Sequence, residues 1–259
     1  MFHNNKPVFA GGAVLKAKML DNVSQYPREM FDIIYAEHSS GIITGAAVSV
    51  RNGTTICISK GIIKFKGSLY HMSEEYCVEA QPGTELQYLR LRFREKEEYP
   101  DEEKWETELV LDTVAINEDC ELELCRFVLN PGAVLRTEYT DLRDYATVHN
   151  TINTLETKYS AIHESTFNPM FLLDFGRRMT NLKLTNVDDV VFVSECMKEA
   201  PIKRELIENY ISKRLNEPKK HYTNQEMYRK LIEVTEIAKR GEGGAGMQGR
   251  MPARRMLVD

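Results

Sequence analysis

The chain has little of what usually betrays an activity. Its five cysteines, Cys57, Cys77, Cys120, Cys125 and Cys196, contain no C-x-x-C pair. Structural zinc draws on four closely paired ligands, so no metal site is expected. Reduced, mostly buried thiols in a cytoplasm are the expectation. The six histidines, His3, His38, His71, His149, His163 and His221, form no H-E-x-x-H and no close pair. There is no G-x-S-x-G elbow to present a nucleophilic serine. No run approaches the ~20 apolar residues of a membrane span. The first stretch is broken by Pro7, Gly11 and Gly12 and followed by Lys16 and Lys18, so it is not expected to act as a signal peptide. Positive charge is not in excess either: 34 Lys and Arg against 39 Asp and Glu give −5, which disfavours a globally basic nucleic-acid binder. No internal repeat is found. The expectation is no catalytic residue, no cofactor, no metal and no membrane contact.

What is present is an ordinary globular composition, with 42% hydrophobic and 28% charged residues over 259 positions. That length suits one large domain or two smaller ones. Charge is unevenly placed. Residues 94–123 hold 13 Asp and Glu against Arg94, Lys96 and Lys104, while residues 239–259 hold five Lys and Arg against Glu242 and Asp259. An acidic face and a basic tail are therefore available for docking.

The hydrophobic period changes near residue 140, from two to between three and four. Period two means strands and period 3.6 means helices. The expected class is α+β: an N-terminal antiparallel β-rich body, sandwich- or barrel-like, followed by a helical C-terminal half. The expected divisions are an arm and helix at 1–40, a β-rich domain at 41–140, a helical domain at 141–240 and a flexible glycine-rich basic tail at 241–259.

Within the first part, residues 1–20 read as an arm, and Pro27 suits the first turn of a helix running to about His38 with Met30, Phe31, Ile34 and Tyr35 on one face. Asn52-Gly53 is a strong hairpin signal between Val48/Val50 and Ile56/Ile58. Leu89, Leu91 and Phe93 alternate with Arg90, Arg92 and Arg94; Thr107, Leu109 and Leu111 alternate with Glu106 and Glu108. The two strands are expected to pair, arginine opposite glutamate across an exposed face. The charged loop 95–103 between them reads as mobile. Phe127 and Leu129 fall out of phase with Leu122 and Leu124, which implies a bulge. Asn130-Pro-Gly132 is a turn.

In the second part, Val148, Ile152, Leu155, Tyr159 and Ile162 step by 4, 3, 4 and 3, an a/d seam over two heptads. It reads as a helix packed on its own sheet or as a short oligomerising seam. A helix from Met170 to Met179 follows Asn168-Pro169. Asn186 with Asp188 and Asp189 marks a helix start, although Val190, Val191 and Val193 leave a strand open. Pro201 opens a helix with Leu206, Ile207, Tyr210, Ile211 and Leu215 inward, and Pro218 stops it. Thr223-x-x-Glu226 is a capping box ahead of Met227, Leu231, Val234 and Ala238. Gly241-x-Gly243-x-x-Gly246 imitates a dinucleotide fingerprint, but it follows a helix and leads to Pro252, where no pyrophosphate cradle would form.

Gly41-Ile-Ile-Thr-Gly45, then Val48-Ser-Val50, then Gly61-Ile-Ile-Lys-Phe-Lys-Gly67 resembles a pattern of bacteriophage tail, fibre and baseplate proteins. There a helix leads into a glycine-bounded turn, a strand and a second glycine-bounded strand. Leu122-Glu-Leu-Cys-Arg-Phe-Val-Leu129 followed by Leu135-Arg-Thr-Glu-Tyr-Thr-Asp-Leu-Arg143 is similar to the ending of such modules. The resemblance covers about residues 25–145, and the trimeric β-helix repeats of a receptor-binding fibre are missing. It implies a non-enzymatic virion structural protein of a phage or phage-tail-like particle, in the tail or baseplate region. Such a protein would be assembled in the bacterial cytoplasm and would contact other particle subunits and copies of itself. The expected contact residues are Val148, Ile152, Leu155, Tyr159 and Ile162 with the tail residues Arg250, Arg254 and Arg255. The alternative is a nucleic-acid-binding accessory protein using the basic helical half, where residues 198–230 hold nine Lys and Arg against five Glu.

Overall fold

The computed structural model describes residues 6–9, 11–12, 14–95, 97–98 and 103–241. The glycine-rich fingerprint beyond Gly241, the tail arginines and much of loop 95–103 lie outside them. The chain is α+β, with antiparallel sheets followed by a helical half, as its periodicity implies. The strands are β1 (Gly41–Gly45), β2 (Val48–Arg51), β3 (Thr55–Ile58), β4 (Gly61–Phe65), β5 (Ser68–Met72), β6 (Tyr76–Glu79), β7 (Gln87–Phe93), β8 (Glu97–Glu98), β9 (Glu103–Lys104), β10 (Thr107–Asp112) and β11 (Glu121–Phe127). They form three three-stranded sheets, β1-β4-β5, β2-β3-β6 and β10-β7-β11, and a β8-β9 ribbon.

The first two sheets are interleaved, because the chain leaves one after β1, builds β2 and β3 in the other, and returns for β4. The two crossovers touch. A side chain at Gly45 (φ +65°) would put its Cβ 2.1 Å from the Lys60 carbonyl, and one at Gly61 would meet the Ala46 nitrogen at 2.4 Å. These are two of the four glycines of the phage-like pattern, and the physical reason for these two is this backbone-on-backbone approach.

β7 is the central strand of the third sheet. The expected β7–β10 pairing is present, with Glu108 opposite Arg92 and Val110 opposite Arg90. The exposed basic face is kept only at Arg92 and Arg94, whose side chains are 41% and 51% exposed. Arg90 is completely buried, its Nη1 donating to Glu121 at 2.9 Å and to the Ala115 carbonyl at 3.2 Å, with Asp112 beside Nη2. Arg92 also turns to Glu121, at 2.9 Å from Nε, and Arg94 reaches Glu108 at 3.1 Å. The reason is β11, which pairs with the other edge of β7 and brings Glu121 opposite Arg92. The predicted bulge is there, between Glu123 and Cys125. Cys57 and Cys77, expected as thiols, face each other across β3 and β6 and form a disulfide. Their separation of 20 residues hides a register that only the sheet creates.

The helices are α1 (Ala17–Ile34), α2 (Pro169–Thr180), α3 (Val187–Cys196), α4 (Arg204–Leu215) and α5 (Asn224–Lys239). The Asn168 and Asn186 side chains accept from the nitrogens of Met170 and Asp188, and the Thr223–Glu226 capping box closes. The strand alternative for Val190–Val193 is excluded by that cap and by α3 itself. Leu206, expected inward, is 39% exposed. The α2–α5 core is rich in aromatics: Phe167 and Phe171 meet edge to face at 5.0 Å, and Phe192 stacks on Tyr210 at 3.9 Å. Asp189 is locked there by Tyr210 and Arg214, each at 2.9 Å.

The helix expected over 148–162 does not form. Residues 147–168 run as a connector in isolated bridges, pairing Val128 with His149, Arg126 with Asn153, Ile42 with Tyr159 and His38 with Ile162. The physical cause is composition. Asn150, Thr151, Asn153, Thr154 and Thr157 prefer to bond the local backbone over a helix interior. The side chain of Asn153 accepts from the Leu155 nitrogen at 3.0 Å, that of Asn150 from the Asn130 nitrogen at 2.9 Å, and Thr157 donates to the Leu124 carbonyl at 2.8 Å. The seven-residue spacing arises because the connector feeds two cores. Ile152 enters the β core and Leu155 the helical core.

Candidate interaction surface

α1 is also not where the sequence suggests. It begins at Ala17, ten residues before Pro27, and runs through that proline. Proline in a helix interior removes one backbone hydrogen bond and costs about 3 kcal/mol. Among the described residues α1 buries none of its side chains. Its apolar residues nevertheless form one stripe. Leu20, Val23, Pro27, Met30 and Ile34 step by 3, 4, 3 and 4, flanked by Tyr26, Phe31 and Ile33. Asp21, Gln25, Arg28, Glu29 and Asp32 occupy the opposite side. Leu20 and Val23 are each 51% exposed, Phe31 47% and Ile34 56%.

Among the described residues the hydrogen bonds that tie the helix to the body lie at its C-terminal end. Buried Lys64 donates to the carbonyls of Tyr35 and Ala36, the latter at 3.0 Å, and the His163 nitrogen donates to the Glu37 carbonyl at 2.7 Å. From that anchor α1 extends ~27 Å. An isolated helix of 18 residues is marginal in water, and most helical stability comes from packing an apolar face. α1 combines an interior proline, no buried side chain among the described residues and a continuous apolar stripe, so the described chain does not supply the packing that usually stabilises a helix. Full burial is worth about 1.5–3 kcal/mol for each Leu, Ile, Met or Phe.

The residues expected to make contacts do not share a face. Ile152 and Leu155, at 1% and 0% exposure, are inside the protein. Val148, Tyr159 and Ile162 are half-buried along the connector, where the Val148 carbonyl accepts from the Val128 nitrogen at 2.7 Å. Arg250, Arg254 and Arg255 lie outside the described residues. The α1 stripe was missed because Pro27 reads as a helix start, which cuts the heptad in two.

Other chemistry is sparse. Burial pushes the Cys196 thiol up to about 12 and raises that of Cys125 as well, so neither supplies a thiolate near neutrality. Among the described residues, Cys57, Glu75 and Cys77 are the one His, Cys and carboxylate group close enough to share an ion, and their two sulfurs are already bonded to each other. In the helical half the positive charge is largely compensated. Of the nine Lys and Arg in 198–230, seven sit within salt-bridge reach of a carboxylate: Lys198, Arg204, Lys213, Arg214, Lys219, Lys220 and Lys230. Among the described residues no helix is long and apolar enough to cross a membrane.

No family model and no curated relative matches the chain. Among solved structures it is similar to a chain of the type VI secretion system TssK-TssF-TssG baseplate subcomplex seen by cryo-electron microscopy. That match has 11% identity and a TM-score of 0.43, over 90% of this chain and 99% of that one. It is also similar to the crystal structure of TssK, with 10% identity and a TM-score of 0.40, over 92% of this chain and 72% of that one. At these TM-scores the likeness assigns neither a fold family nor an activity.

Proposed function

We propose that this protein is a structural, non-catalytic subunit of a phage-tail-like particle, placed in its tail or baseplate region and joined to other subunits through α1. The carrying observation is the bare heptad stripe of Leu20, Val23, Pro27, Met30 and Ile34 on a helix that no other element of the chain covers among the described residues. The phage-like glycine pattern of residues 41–67 adds the kind of assembly. Gly45 and Gly61 of that pattern are accounted for by the crossovers between the first two sheets. Contact through α1 fits a partner that offers an apolar helix or groove, because a 3-4 spacing packs along a partner rather than across it.

The test is co-expression of this chain with the other tail and baseplate proteins of its particle, followed by purification and electron microscopy. Wild type should be present in the purified particles at fixed stoichiometry. The triple variant L20E/M30E/I34E should remain folded and soluble but be missing from them. Absence of the wild-type chain from particles, or normal incorporation of the variant, overturns the reading.

A further inference from the structure

In the β2-β3-β6 sheet, Val48, Val50, Ile56, Ile58 and Val78 pack into the β core, so the alternate residues lie on the other side. There Ser49, Cys57 and Cys77 form one row across the three strands, and Arg51, Thr55 and Glu79 form the next. Cysteine is an unusual choice on such a polar side. Cys125 and Cys196 are packed in the two hydrophobic cores, where sulfur serves as a small apolar group. Cys57 and Cys77 belong to neither core, so their sulfur chemistry matters more than their packing.

A third group joins them. Glu75 precedes Cys77 by two residues, and its Oε1 lies 3.7 Å from Cys77 Sγ. One ligand atom from each of Cys57, Glu75 and Cys77 falls within 4.8 Å of the other two. Arg51 reaches Glu75 Oε1 at 2.6 Å, and the second carboxylate oxygen has no partner among the described residues. Cys57 is completely buried on the central strand, while Glu75 and Cys77 are exposed.

We infer that the reduced form of this site binds one zinc ion through Cys57 Sγ, Cys77 Sγ and a carboxylate oxygen of Glu75. A dithiol reductant supplies the two electrons and two protons that turn the disulfide into two thiols, and is itself left as a disulfide. Zinc then displaces both protons as the thiolates bind it. Thiolate sulfur and carboxylate oxygen are both ordinary zinc ligands, and three protein groups leave the fourth position to water. The exposed pair lets the ion in from solvent, and Cys57 fixes it to the sheet. The charges also balance: two thiolates and a carboxylate face a divalent cation and the guanidinium of Arg51. That guanidinium is the outer partner which ligating carboxylates commonly have. β6 is an edge strand, so zinc ties it to β3 where the disulfide does, in surroundings that keep thiols reduced. The β3–β6 register, and no C-x-x-C spacing, brings these ligands together.

The experiment reduces the full chain with a dithiol, removes the reductant under argon and titrates the protein with zinc against a chromophoric chelator. Reduced wild type should bind one equivalent and show a higher urea midpoint with zinc than without. Oxidised wild type, C57S/C77S and E75A should each bind at least about tenfold more weakly. C120S, which removes a thiol outside the site, should bind as wild type does. No zinc on the reduced wild type, equal binding by the oxidised chain or by either site variant, or a loss in C120S overturns the inference. Should C57S/C77S fail to fold by circular dichroism, cobalt in reduced C120S decides instead. Thiolate-to-cobalt charge-transfer absorption in the near ultraviolet supports the site, and its absence overturns it.

Discussion

α5 and α1 are of similar length and both are amphipathic, yet they end in opposite circumstances. α5 places Met227, Tyr228, Leu231 and Val234 in the helical core, while α1 buries nothing. α5 also has its capping box, whereas Lys16 ahead of α1 makes no side-chain cap and Pro27 interrupts the backbone ladder. The difference teaches that an apolar stripe announces burial without saying against what. A helix with an interior proline and a missing cap that keeps its stripe is the reason α1 is proposed as the contact surface.

The comparison can be broken first in the helical core. Phe171 is fully buried among Phe167, Tyr145 and Tyr228. Phe171→Ala should cost about 3–5 kcal/mol in denaturant unfolding, through lost burial and a cavity that three aromatic neighbours cannot collapse. A loss under about 1 kcal/mol would mean that this half is loosely packed and that the contrast with α1 is false.

The next effect is electrostatic and lies at the junction of the two halves. Arg136 grips Asp144 with both terminal nitrogens, at 2.6 and 2.7 Å, and the Thr140 nitrogen adds a third bond at 2.9 Å. The guanidinium holds the Asp144 carboxyl well below the usual carboxylate range. A carboxyl whose folded pKa is depressed contributes stability above its unfolded pKa, near 4, and that contribution fades as pH falls below it. Asp144→Asn should therefore cost about 1.5–3 kcal/mol at pH 7 and progressively less below about pH 4, so the two unfolding curves converge in acid. Equal separation at every pH would show that the ion pair contributes nothing.

Thr223→Ala removes the side-chain half of the α5 capping box and should cost about 1 kcal/mol, read as a shift in the denaturant midpoint at unchanged slope. The smallest effect sharpens the comparison most. Ile34→Glu on α1 should change the stability of the isolated chain by no more than about 0.5 kcal/mol, since an exposed site loses no packing. A cost of several kcal/mol would place the stripe against the chain's own body and remove the reason to seek a partner.

Much of the fold is legible in the sequence because the signals are local. The Asn52-Gly53 hairpin, the β7–β10 pairing, the bulge before Phe127, the caps of α3 and α5 and the turn at Asn130 each follow from residues close together in the chain. Arg90 shows the limit. Its alternation with leucines predicts a solvated face, and burial follows only when β11, about 30 residues later, covers it. Val148 to Ile162 show a second limit. Spacing by 3 and 4 is produced by a helix, and equally by a connector that drops one side chain into each of two cores. The α1 stripe is the least legible part, since Pro27 masks the register of the helix.

From the sequence alone came the class, the positions of most strands and helix ends, and the absence of recognisable catalytic patterns. These depend on backbone preference and on the alternation of apolar with polar side chains, which act over a few residues. Tertiary structure decided which faces found cover: that 147–168 is a strap between cores, that Cys57 meets Cys77, that Arg90 is inside, and that α1 buries no side chain among the described residues. Burial is a property of what arrives from elsewhere in the chain, so no short window of residues contains it.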